Sequence, residues 1–187
     1  MLCYRVHSND TTEMDEPDSV NTSVNSAQLN TGIHNIIDVQ RYSSLNRLLR
    51  VTALVLRGVS RLKNNTAGLR SNEHVSVREL KHAETLWIKS DQQDCYSNEL
   101  RILTNRTKSR STLIRQLKLF LDGDGIVRCG GRLQNASIQY SIKHPILLPP
   151  KHAYTKLAIM DAHDKVLHSG TATTVTFIRQ RLWIPRI

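Results

Sequence analysis

The sequence predicts a mainly helical α+β fold with one small β-hairpin. Two long stretches carry apolar residues at spacings of three and four, the period of an amphipathic helix. A single Leu-rich run alternates with polar residues around an Asp-Gly-Asp-Gly turn, the pattern of a hairpin. Beyond residue 143 the chain is punctuated by Pro and Gly, which leaves room for short helices and one extended segment.

Residues 1–40 are rich in Ser, Thr, Asn and Asp and lack apolar periodicity, so they are predicted to form a disordered acidic arm. Their one basic residue, Arg5, faces six acidic ones (Asp10, Glu13, Asp15, Glu16, Asp18 and Asp38), a net charge of −5. The remaining residues carry +15, which gives the chain its +10. A body this basic suits polyanionic partners, because neutralising phosphates releases condensed counterions. A solvated basic surface without a specific partner accounts for the charge equally well.

Residues 41–115 read as a helical region. In "RYSSLNRLLRVTALVLRGVSRLK" the residues Leu48, Val51, Val55, Val59 and Leu62 define a helix from about Ser44 to Lys63. Arg47, Arg50, Arg57, Arg61 and Lys63 occupy the rest of its surface and are candidate nucleic-acid contacts; a plain solvated face is the alternative. "HVSVREL" then supplies a complete helix start. Ser76 is the N-cap, Glu79 completes a capping box, and Val75 and Leu80 form a hydrophobic staple. Leu80, Ala83, Trp87 and Ile88 follow as a core stripe, with Tyr96, Leu100 and Leu103 prolonging it, so a helix from Val77 to about Leu103 is expected, interrupted near "SDQQD".

Residues 116–150 hold the hairpin and an extended segment. Leu117, Leu119 and Leu121 alternate with Lys118 and Phe120, Asp-Gly-Asp-Gly turns the chain, and "IVRC" returns. A calcium loop starting at Asp122 is excluded, because its fifth and twelfth positions are Ile126 and Leu133. Gly130 and Gly131 lack the setting of a phosphate loop and are assigned to a bulge or to close backbone packing. "HPILLPP" is a brief strand. Residues 151–187 give a helix from Thr155 to about Leu167, with Leu157, Met160 and Val166 inward, and a last helix from Thr171 to about Leu182.

Cys3, Cys95 and Cys129 are odd in number and far apart, with no Cys-x-x-Cys, so a reduced intracellular compartment is expected and no disulfide framework. No secretory leader and no membrane span is expected. In "DAHDKVLHSG", His163 and His168 lie about 140° apart on an ideal helix, so they converge only if the helix ends between them. Their spacing fits the histidine arm of a structural zinc site and equally fits two ordinary histidines.

The ordered series "RLLRVTALVLRG", "ELKHAETLWIKSDQQDCYSNELRIL" and "FLDGDGIVRCGGRLQNASIQYSIKHPILLPPKHAYTKLAIMDAHDKVLHSGTATTVTFIRQRLWIPRI" resembles the Pol polyprotein of BEL/Pao-type LTR retrotransposons over about residues 37–187. The matching region lies between the reverse transcriptase/RNase H and the integrase core, and residues 151–187 resemble the N-terminal half of a His-His-Cys-Cys integrase zinc-binding domain. The resemblance implies zinc ligation by His163 and His168. The family's Cys-x-x-Cys is absent here, so the site is incomplete and zinc binding by this chain is expected to be weak. No protease, polymerase or integrase carboxylate set is present, so a non-catalytic fragment with non-specific nucleic-acid affinity is expected. The alternative is an assembly module that associates with itself or with other retroelement proteins. A thiol hydrolase built on Cys95 or Cys129 is the third reading.

Overall fold

The computed structural model describes residues 32–63, 74–106, 111–131 and 135–187. The elements are helices α1 (Leu45–Lys63), α2 (Val77–Cys95), α3 (Ser97–Thr104), α4 (Thr112–Leu117), α5 (Tyr140–Lys143), α6 (Ala153–Lys165) and α7 (Thr171–Arg179). They surround strands β1 (Leu119–Leu121), β2 (Val127–Cys129), β3 (Ile146–Leu147) and β4 (Leu182–Trp183). The fold is mainly helical α+β, as the apolar periodicity predicts.

Local signals set the helix starts. The Ser76 hydroxyl accepts from Glu79 N, and the Glu79 carboxylate accepts from Ser76 N, so the capping box closes in both directions. Val75 and Leu80 are both partly buried against the main core cluster. The break expected near "SDQQD" falls just beyond it, at Tyr96, where α2 hands over to α3.

Ala83, Trp87 and Ile88 are buried in a cluster with Leu48, Leu148, Tyr154 and Leu157. The buried residues of α1, however, are Leu45, Leu48, Leu49, Thr52 and Ala53. The expected stripe is therefore corrected: Val55, Val59 and Leu62 are exposed, Leu62 by 77%. The helix packs through its first half, where Ala53 is small enough for close approach and the Trp87 indole N–H donates to Thr52 Oγ1 at 2.9 Å.

The four strands form one sheet through three short pairings. β1 and β2 form the antiparallel hairpin, β3 pairs antiparallel with β2 through Arg128 and Ile146, and β4 pairs parallel with β3. Asp122 builds the hairpin turn: its carboxylate accepts from Asp124 N and Ile126 N and from Arg128 Nε. Leu117 and Lys118, expected in the first strand, instead end α4, with Lys118 in the left-handed region. Gly130 sits where a Cβ would lie 2.7 Å from the Lys118 carbonyl oxygen, the close backbone packing expected of it. A second cluster of Leu119, Val127, Cys129 and Leu147 lies under the sheet, with Tyr96, Leu100, Leu103 and Trp183 against it.

The last helix ends at Arg179, and Leu182 belongs to a strand that sequence periodicity does not predict. Met160, expected inward, is 48% exposed. Residues 32–40 are not part of a disordered arm: two 3-10 turns, Ile33–Asn35 and Val39–Arg41, bring Ile37 and Val39 into the core. The rest of the expected arm, residues 1–31, lies outside the described residues. The three segments 41–115, 116–150 and 151–187 fall in one compact unit. Among the described residues, no helix is long and apolar enough to cross a membrane.

Candidate metal centre

Four titratable side chains from three parts of the chain meet beside Trp87. Asp91 and Asp94 lie three apart on α2, hence on one face. Asp91 falls one turn after Trp87 on the side that the core stripe buries, and its side chain is fully buried. His34 comes from the first 3-10 turn and stands edge-on to Trp87 with ring centroids 4.8 Å apart. His152 is the residue before α6. An N-cap there would normally use its side chain to accept from the first helical N–H groups, but His152 makes no such bond and turns its ring to Asp91.

Asp91 Oδ1 is 3.1 Å from His34 Nε2 and 2.8 Å from His152 Nδ1. Asp94 Oδ2 is 3.5 Å from His34 Nε2 and 3.9 Å from His152 Nε2. Close as they are, none of the inner atoms forms a hydrogen bond: both Asp91 oxygens, His34 Nε2 and His152 Nδ1 are buried without a partner in hydrogen-bonding geometry. Burial, reinforced by the nearby Asp94 charge, pushes the Asp91 carboxyl up to about 8. Burial also lowers His152, and lowers His34 with a further contribution from His152, while Asp94 opposes both shifts. At neutral pH the imidazoles therefore keep their lone pairs. His34, Asp94 and His152 line a surface groove of about 720 Å³ that also includes Asp38, Lys151 and Lys156. His34, Asp94 and His152 present ligand atoms within 4.8 Å of one another, and such a group can hold a metal ion.

The histidine pair singled out in the sequence does converge. α6 ends at Lys165, Leu167 and His168 adopt left-handed backbone angles (φ 52° and 57°), and the His163 and His168 rings meet with centroids 4.6 Å apart. Gly170 stands at the N-cap of α7 with φ 97°. The Thr174 hydroxyl gives its proton to Gly170 O at 2.8 Å, so it accepts from His163 Nδ1 at 3.1 Å. That assignment leaves His163 Nε2 with a free lone pair. Among the described residues no third His, Cys, Asp or Glu ligand joins these two. Nearby Asp161 pairs with Lys165 at 2.6 Å.

The basic residues of α1 divide. Arg47, Arg50 and Lys63 are exposed and Arg61 is half-buried. Arg57 is engaged within the fold: its Nε and Nη2 donate to the two Glu79 oxygens at 2.7 and 2.6 Å, and Nη2 also donates to His74 O. Of the described cysteines, Cys95 is exposed and Cys129 is buried. Burial pushes the Cys129 thiol up to about 12, and burial together with Asp91 and Asp94 raises that of Cys95.

The group around Asp91 escapes sequence reasoning because its members are scattered along the chain. One signal was legible: Asp91 follows Trp87 by four and Ile88 by three, which places a carboxylate on the core side of α2. Comparison with family models, with curated proteins and with solved structures found no match to this chain.

Proposed function

We propose that the chain is a non-catalytic segment of a BEL/Pao-type retrotransposon Pol polyprotein, the integrase zinc-binding-like region, with weak and sequence-indifferent affinity for nucleic acid. The observation that carries this reading is the meeting of His163 and His168 where α6 ends, in the hand-over between two short helices. Two imidazoles supply half of a four-ligand structural zinc site, so at this pair the chain binds zinc weakly. Joining it to a segment that bears Cys-x-x-Cys raises zinc affinity at the pair by orders of magnitude. Equal affinity of the two proteins at His163 and His168 overturns the zinc part of the reading.

Nucleic-acid contact falls to Arg47, Arg50 and Lys63, which point to solvent on α1. Three phosphate contacts give a slope of log affinity against log salt of about −3 on duplex DNA. A filter-binding titration with the triple variant R47A/R50A/K63A is expected to flatten that slope. Salt-independent binding, or none near physiological salt, refutes the nucleic-acid role.

The assembly reading has one observation in its favour: Leu54, Val55, Val59 and Leu62 lie exposed along the second half of α1. Light scattering that shows a stable oligomer, dispersed by Leu62→Asp, would favour it over the first.

A further inference from the structure

We propose that His34, Asp91, Asp94 and His152 form a binding site for one divalent transition-metal ion, separate from the His163–His168 pair. The site does not depend on the retroelement reading.

The spacing of the donor atoms suits a shared ion. Ligands about 2.0–2.2 Å from a metal stand about 3.0–3.5 Å apart in a tetrahedral or octahedral shell. The contacts of Asp91 Oδ1 with His34 Nε2 (3.1 Å) and with His152 Nδ1 (2.8 Å), and of Asp94 Oδ2 with His34 Nε2 (3.5 Å), are of that order. Asp94 Oδ2 stands 3.9 Å from His152 Nε2, and the His34, Asp94 and His152 donors span up to 4.8 Å, so those side chains close slightly on an ion. A His–Asp hydrogen-bonded network would explain the same proximity if a ring N–H donated to the carboxylate or a protonated Asp91 donated to a ring nitrogen, and the geometry provides neither bond.

Asp91 supplies a second, independent reason. A fully buried carboxylate with both oxygens unpartnered is rare, because its lone pairs are stripped of water and given nothing in exchange. A cation among these four groups satisfies both Asp91 and the two ring nitrogens at once.

Donor chemistry selects the ion. Two imidazoles with two carboxylates and no thiolate disfavour soft Cu(I), while the nitrogen donors disfavour Ca²⁺ and Mg²⁺. Zn²⁺, Co²⁺ and their divalent neighbours remain. Asp94 is half-exposed on the groove, so water completes the shell from that side.

The test uses the whole 187-residue chain stripped by a chelator. Zn²⁺ is titrated by calorimetry and Co²⁺ by visible absorption. One equivalent is expected to bind with the spectrum of nitrogen and oxygen ligands, and the double variant H163A/H168A is expected to keep it. H34A/H152A and the near-isosteric D91N are expected to weaken it by more than about 100-fold, beyond the loss caused by removing an outer-shell partner. Circular dichroism establishes that D91N is folded, so that variant decides the matter if the double alanine variant does not fold. The proposal is overturned if the parent takes up no stoichiometric metal, if D91N binds as the parent does, or if binding vanishes in H163A/H168A. Nucleic-acid binding, read separately, is expected to be unchanged in D91N.

Discussion

Gln92 offers the sharpest test of how this fold is held together. Its side chain is fully buried in the last turn of α2 and lies against β2 and β3. Nε2 donates to Val127 O at 2.9 Å and to Leu147 O at 2.7 Å, and Oε1 accepts from Val127 N at 2.8 Å. The two strands share only the Arg128–Ile146 register pair, so the amide acts as an extra rung between them. Gln92→Leu keeps much of the volume and strands one N–H and two carbonyls. At about 1–3 kcal/mol for each buried group left unpaired, and with partial relaxation, the expected loss is about 3–6 kcal/mol. That is a large part of the roughly 5–15 kcal/mol of an ordinary domain. Urea unfolding followed by far-UV circular dichroism should show a lower midpoint at an unchanged slope. Gln92→Glu adds a signature. Only the protonated acid can donate to a carbonyl, so its folded-state pKa is raised and its stability falls as pH rises above the ordinary carboxylate range. A loss under about 1 kcal/mol for Gln92→Leu, or equal stability of Gln92→Glu at acid and neutral pH, would refute the bridging role.

The remaining expectations concern charge and packing. Asp91 holds a proton in the metal-free fold up to about pH 8 but loses it near 3.8 when unfolded, so the native state binds more protons and stability falls as pH rises. The lowered His34 and His152 act in the opposite sense only up to their ordinary 6.5. Between 6.5 and 8, chelator-treated protein should therefore lose about 2 kcal/mol, a decline that Asp91→Asn removes; a flat profile in the parent refutes the assignment. Glu79 is held near 2 by Arg57 and Ser76, so its contribution is present above 4.5 and lost as pH falls toward 2, and Glu79→Gln should flatten acid unfolding over that range. Gly130→Ala should cost about 1–3 kcal/mol in thermal melts because the clash is with backbone. Gly123→Ala, with nothing within 4 Å of its new Cβ, should stay within about 0.5 kcal/mol, and equal costs for the two would refute the packing argument.

What the sequence made legible was local. The Ser76–Glu79 box, the Asp-Gly-Asp-Gly turn and the ending of α6 between two histidines each depend on residues a few positions apart. Three features depended on distant partners and stayed hidden. α1 carries two overlapping apolar stripes, and Trp87 selected the one containing Thr52 and Ala53. β4 is two residues long and exists because β3 offers an edge for parallel pairing. The metal group needed His34 from the segment read as disordered, and the acidic composition of residues 1–40 concealed how well Ile37 and Val39 fit the core.

The two apolar clusters have an experimental consequence. The chain has two tryptophans, Trp87 sealed in the larger cluster and Trp183 on β4 beside the smaller. Each indole thus serves as a resident lamp for one half of the interior, and Trp183→Phe leaves a protein whose emission reports the helical half alone. In stopped-flow refolding, light from Trp183 dates the moment when the last strand docks, and light from Trp87 dates the closing of the helices.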